Sequence, residues 1–122
     1  MKEIVLVDDD SINNYVNKEL IRKRHPDIKL VSLESPLFAI NYLAGDTAQE
    51  PDLVLLDLNM PLLNGWEFVE KLQEKNIHQN VIILTSSINP MDRRISEAYD
   101  MVKGFLVKPI NVDELDELLS VI

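Results

Sequence analysis

Residues 54–66 read VLLDLNMPLLNGW, an apolar run that ends in Asp57 and is followed within eight residues by Pro61 and Gly65. An ionised carboxylate at the edge of a hydrophobic core is costly unless something pairs with it. Asp57 is therefore either a surface residue that happens to follow a strand or part of a site. The rest of the chain decides between the two.

Similar apolar runs recur on both sides. Ile4–Val7, Lys29–Leu33, Leu53–Leu56, Val81–Leu84 and Gly104–Val107 read as five strands. Three are nearly continuous in Val, Ile and Leu, the pattern of a parallel sheet covered on both faces. Helical patterns fill the intervals. Ile12, Val16 and Leu20 recur at four-residue spacing, as an apolar helix stripe does, and lead to the break His25-Pro26-Asp27. Ser35-Pro36 reads as an N-cap with proline at the first helical position; Ala39, Ile40 and Leu43 face inward and Gly45 ends the helix.

A third helix follows Asn64-Gly65 and uses Phe68, Val69 and Leu72. A fourth starts at Asn89-Pro90 with Ile95, Ala98 and Tyr99 inward. The last opens on Asn111-Val112-Asp113-Glu114, a capping-box-like pattern, and buries Leu115, Leu118 and Leu119. This alternation predicts an α/β fold, (βα)5, with a parallel sheet sandwiched by helices. Right-handed crossovers leave few topologies.

The totals agree with one domain. The 122 residues are 46% hydrophobic and 27% charged, an ordinary globular balance. No apolar run approaches the roughly 20 residues of a membrane helix, and nothing reads as a signal peptide. The chain has no cysteine, which excludes disulfides and thiolate metal sites. The expected location is the cytoplasm, with no membrane partner. A formal charge of −9 and a pI near 4.6 argue against direct nucleic-acid binding, which needs clustered Lys and Arg. The basic cluster Arg22-Lys23-Arg24 falls at a helix end, where cations suit the dipole. The chain stops as the fifth helix completes, so residues 1–122 are read as one domain with no attached output domain.

In such sheets ligands bind outside the carboxyl ends of the strands. Polar residues collect there: Asp8-Asp9-Asp10 after strand 1, Asp57 after strand 3, Thr85-Ser86-Ser87 after strand 4, and Lys108-Pro109 after strand 5. Gathered carboxylates raise one another's pKa and repel, a conflict that a divalent cation removes. Oxygen ligands without His or Cys suit Mg²⁺ best. Carboxylate, Mg²⁺, lysine and hydroxyl are the parts needed to transfer a phosphoryl group onto an aspartate.

These motifs, VDDD, DLNMPLLNG, TSS and KP, occur in an order and at spacings that resemble the receiver domain of two-component response regulators, here a single-domain, chemotaxis-regulator-like one. The likeness covers essentially the whole chain. It implies a flavodoxin-like doubly wound sheet of five parallel strands in the order 2-1-3-4-5. It also implies that Asp57 accepts a phosphoryl group from a histidine kinase or histidine phosphotransfer protein.

Within the resemblance Asp8 and Asp9 hold Mg²⁺, Asp9 directly and Asp8 through water, with Asp57 and the backbone carbonyl of Asn59 completing the set. Asp10 is read instead as the cap of the first helix. Thr85 is the switch hydroxyl, Ser86 the small residue that leaves access to Asp57, and Ser87 a residue that shapes hydrolysis. Lys108 pairs with the phosphoryl group or, before it arrives, with Asp57, and the bond to Pro109 is cis. Phe105 takes the place of an aromatic switch that is often tyrosine; without the hydroxyl, any signal travels through ring burial. Met60-Pro61 and Gly65 shape the loop after strand 3. Trp66 is expected to be partly exposed.

The implied protein catalyses its own phosphorylation and dephosphorylation but acts mainly as a switch, turning the surface of helix 4, strand 5 and helix 5 toward an unidentified downstream protein, as a monomer or weak dimer. A phosphorelay carrier passing phosphate to another histidine uses the same site, and a phosphorylation-independent interaction module is a further alternative. A dehalogenase-type phosphatase expects a second aspartate where Asn59 stands, and no flavin-loop signal supports a flavin binder.

Overall fold

The structure, a computed structural model, describes residues 1–44 and 50–122. The chain runs β1 (Glu3–Val7), α1 (Ser11–Arg24), β2 (Lys29–Leu33), α2 (Pro36–Ala44), β3 (Leu53–Leu56), α3 (Gly65–Glu74), β4 (Val81–Thr85), α4 (Pro90–Ser96), β5 (Val102–Val107) and α5 (Val112–Leu119). The five strands pair in parallel in the order β2-β1-β3-β4-β5. Fold class and strand order are as expected. Boundaries shift slightly: β1 begins one residue early at Glu3, β4 includes Thr85, and β5 starts at Val102. The expected stop at Gly45 lies outside the described residues.

Period-two alternation divides the strand residues between two cores. Val5, Val7, Val54, Leu56, Ile83 and Phe105 face Ala39, Ile40 and Leu43 of α2 and Phe68, Val69 and Leu72 of α3. Ile4, Leu6, Leu53, Leu55, Ile82, Leu84 and Leu106 face Ile21 of α1 and Leu115 of α5. Every residue of β1, β3 and β4 is buried, which is why these runs lack polar alternation. The edge strands β2 and β5 are only partly covered.

Caps follow the sequence closely. Asp10 accepts from the N–H groups of Ile12 and Asn13, Asn89 from Met91, and Asn111 from Asp113 and Glu114. A reciprocal capping box forms at α3, between Asn64 and Glu67. The basic end of α1 is anchored to α5: Arg24 pairs with Asp113 at 3.0 Å and Asp116 at 2.6 Å, and His25 Nε2 lies 2.6 Å from Asp116.

Two inward faces differ from expectation. In α1 the buried residues are Asn14, Asn17 and Ile21, while Ile12 and Val16 are exposed and Leu20 is half-buried. The helix is turned by its polar contacts: the Asn14 side-chain N–H donates to the Asp8 carbonyl at 2.8 Å, and Asn17 Oδ1 accepts from the Ile110 N–H at 3.5 Å. In α4 the helix ends at Ser96, so Ala98 falls in a turn and is exposed; Ile95 and Tyr99 are half-buried.

Candidate functional site

Backbone ladder bonds carry each site residue one step past its strand. The Asp8 N–H donates to the Leu33 carbonyl (3.2 Å), the Asp57 N–H to Val7 (2.9 Å) and the Lys108 N–H to Thr85 (2.8 Å). These side chains are therefore set by the sheet and not by free loops, and all stand at its carboxyl edge.

The sheet order brings them together. Lys108 Nζ lies 2.5 Å from Asp8 Oδ2 and 3.4 Å from Asp57 Oδ1, with all three side chains at least 89% covered (11%, 7% and 7% exposed). The sequence reading paired Lys108 with Asp57; in the structure its shorter contact is to Asp8. One carboxylate oxygen from each of Asp8, Asp9 and Asp57 lies within 4.8 Å of the others, Asp9 being the exposed member. Burial pushes the Asp57 carboxyl above its ordinary value, the Lys108 charge opposes this, Asp8 adds to it, and the Asn59 N–H lowers it by donating to the carboxylate. A buried carboxylate pair with one ammonium is an arrangement short of positive charge.

The donor set fits a hard divalent cation. Opposite corners of an Mg²⁺ octahedron are about 4.2 Å apart, so oxygens up to 4.8 Å apart reach one ion with a small adjustment or through a bridging water. A larger depression of about 610 Å³ opens at the other end of the strands, beside Asp52, His78 and Lys103, away from these groups.

Residues 4–120 match the family described as Response regulator receiver domain. The chain belongs to that family. The receiver is 33% identical over 113 residues to the cyclic di-GMP phosphodiesterase response regulator RpfG of Xanthomonas campestris pv. campestris, covering 92% of this chain and 29% of RpfG. Response regulator Rcp1 of Synechocystis is 27% identical over 126 residues, covering 98% of this chain and 84% of Rcp1. A two component response regulator from Cytophaga hutchinsonii superposes with a TM-score of 0.89 at 31% identity, over 99% of this chain and 96% of that one. No helix among the described residues is long and apolar enough to cross a membrane.

The remaining expected residues of the receiver fall at or just beyond the ends of β3, β4 and β5. Thr85 is fully buried and its Oγ1 accepts from the Ser87 N–H at 3.2 Å. The Ser87 hydroxyl donates to Asp92 in the first turn of α4, at 2.5 Å. Ser86 and Asn59 are exposed. The Lys108–Pro109 bond is cis. A Cβ on Gly65 would come within 2.8 Å of the Asp57 carbonyl oxygen and 2.9 Å of Leu58 Cα, so this glycine serves a close approach.

Four further contacts were not anticipated. Phe105 is buried, and the Arg93 guanidinium of α4 lies 5.0 Å from its ring centroid. Trp66, half-buried as expected, stacks on Tyr99 at 5.7 Å and 7°. The other two are the bonds of Asn14 and Asn17. Asn14 and Asn17 had a sequence signal: amides three apart on an amphipathic helix beside an acidic motif. The ring contacts had none.

Proposed function

We propose that residues 1–122 form one receiver domain in which Asp57 takes a phosphoryl group from the phosphohistidine of a histidine kinase or histidine phosphotransfer protein. The convergence of Asp8, Asp9 and Asp57, with Lys108 against Asp8 and Asp57, carries the reading. In the forward step an Asp57 oxygen forms the new bond to phosphorus as the phosphorus–nitrogen bond breaks, and the leaving imidazole takes up a proton. Water later attacks the acyl phosphate, returning the carboxylate and releasing inorganic phosphate.

Asp8, Asp9, Asp57 and the Asn59 carbonyl would hold Mg²⁺, which when bound offsets the charge of the phosphoryl oxygens. Lys108 moves its ammonium from Asp8 toward those oxygens. The Thr85 hydroxyl, which accepts from Ser87 in this state, turns to donate to one of them. Charge-assisted hydrogen bonds contribute about 1.5–3 kcal/mol each. A full reversal of a two-state population needs about 5.5 kcal/mol, which one such bond cannot supply and which Thr85 and Lys108 together reach only at the top of their range of about 3–6 kcal/mol.

The response then reaches α4 by two routes: through Ser87 and Asp92, and through Phe105 beneath Arg93. This supports the surface of α4, β5 and α5 as the one that meets the downstream protein. The donor approaches elsewhere. Asp57 is 6% exposed, so the protein carrying the phosphohistidine must press against the cleft rim, where Ile12 (72%), Leu62 (88%) and Ile88 (87%) stand exposed. The cytoplasm is the compartment this reading requires, because ATP-charged phosphohistidine is made there.

Incubation with acetyl phosphate and Mg²⁺ tests the assignment. One phosphoryl mass should add to the wild type and none to Asp57→Asn. An adduct on Asp57→Asn, or none on the wild type beside a labelled control receiver, overturns it.

A further inference from the structure

Beneath the Asp57–Asp8 pair, between α1 and the sheet, lies a cavity of about 10 Å³ lined by Asp8, Asn14, Asn17 and Asp57 among apolar strand residues. Asn14 is 3% exposed, and among the described residues its Oδ1 has no hydrogen-bond partner. The amide cannot be turned round to cure this. Its nitrogen donates to the Asp8 carbonyl at 2.8 Å, and a flip would set two oxygens against each other. An acceptor buried this deeply, beside a polar cavity, calls for a small donor. The volume corresponds to the lower bound for one water molecule, about 10 Å³. A water placed there would donate to Asn14 Oδ1 and keep a hydrogen and its lone pairs for the other polar groups lining the cavity.

We propose that this cavity is a one-water site, and that Asn14 is a positioning residue which fixes the Asp8 backbone directly and the acidic pair through that water. Asn17 acts in parallel from the next turn of the same helix face, where its Oδ1 accepts from the Ile110 N–H, two residues beyond Lys108. The buried face of α1 thus braces the strand end that carries Asp8 and the loop that carries Lys108. The metal-binding half of this inference rests on the reading of Asp8, Asp9 and Asp57 given above; the water half does not.

The two halves are tested separately. Oxygen-17 and deuterium relaxation dispersion counts long-lived internal waters in the intact chain. Asn14→Leu, close to isosteric but apolar, should show one fewer than wild type. Asn14→Ser, smaller and still polar, should show at least as many. An unchanged count in Asn14→Leu, or a reduced count in Asn14→Ser, overturns the water site; should Asn14→Leu fail to fold by circular dichroism, Asn14→Ser decides.

A Mg²⁺ titration read by Trp66 fluorescence tests the positioning role. Loss of a supporting hydrogen bond behind a ligand weakens metal binding about 10-fold or more in Asn14→Leu, and by less in Asn14→Ser, whose shorter hydroxyl reaches the Asp8 carbonyl only through water. Equal midpoints in all three proteins overturn that role. If the wild type takes up neither Mg²⁺ nor phosphate yet keeps the water, the functional reading fails and the one-water site stands.

Discussion

Replacing Lys108 with methionine keeps the aliphatic stem and deletes an ammonium that stands 2.5 Å from Asp8 and 3.4 Å from Asp57. Removing one partner of a buried ionic cluster costs about 3–5 kcal/mol, because the other charge is stranded. Protonation sets a ceiling. A carboxyl with an ordinary pKa of 3.8 is neutralised at pH 7 for about 1.4 kcal/mol per unit, about 4 kcal/mol in all. The expected destabilisation at pH 7 is therefore about 3–4 kcal/mol, and at pH 5 the ceiling falls below about 2 kcal/mol.

The sign follows from the same groups. Burial already raises the Asp57 carboxyl and Lys108 opposes it, so the variant raises it further. The folded variant then holds a proton that the unfolded chain releases, and its stability falls as pH rises from the unfolded value through the raised one. Lost packing is independent of pH, so a gap to wild type that widens from pH 5 to pH 7 isolates the charge. Urea unfolding followed by Trp66 fluorescence in EDTA measures it, and a domain stable by about 5–15 kcal/mol stays folded at the start. A gap under about 1 kcal/mol at pH 7, or one equal at both pH values, refutes Lys108 as the counter-ion of this pair.

Asp57→Asn should raise stability near neutrality, since the ionised group is held above its ordinary pKa, and the gain should fade as pH drops toward 4; a variant less stable at pH 7 in urea contradicts this. Gly65→Ala drives a Cβ to 2.8 Å from the Asp57 carbonyl and 2.9 Å from Leu58 Cα, backbone atoms that cannot swing aside. It should cost about 1–3 kcal/mol in thermal unfolding and slow labelling by acetyl phosphate. Tyr99→Leu removes the ring stacked on Trp66 at 5.7 Å, and should red-shift Trp66 emission while costing about 0.5–1.5 kcal/mol. An unchanged spectrum would mean that the stack does not persist in solution.

Much of this fold was legible because interior parallel strands must be apolar on both faces. Val54–Leu56 and Val81–Leu84 announce themselves as unbroken runs, and both are fully buried. Asp57 and Lys108 lie 51 residues apart, so no local pattern joins them. Their meeting was expected from the rule that parallel strand ends share one edge, together with the family resemblance. That rule names neighbours but not distances, so it could not say that Lys108 leans toward Asp8. The Arg93–Phe105 and Trp66–Tyr99 contacts join different elements and depend on how helices settle against the sheet, which periodicity does not encode.

The misread face of α1 shows why periodicity failed there. A hydrophobic stripe locates the buried side of a helix only where the surface beneath it is apolar. Beneath the first turns of α1 lie the Asp8 carbonyl and the Ile110 N–H, polar groups that need partners once water is excluded. Two asparagines satisfy them, and Ile21 takes the apolar contact one turn further along, where the sheet surface becomes hydrophobic. Covering a polar cleft thus reverses the helix: amides turn inward, and Ile12, Tyr15 and Val16 are left in solvent. The same constraint that hid the buried face from sequence reading sets an apolar stripe on the outer surface beside the cleft, at the sheet edge where Leu62 and Ile88 also stand exposed.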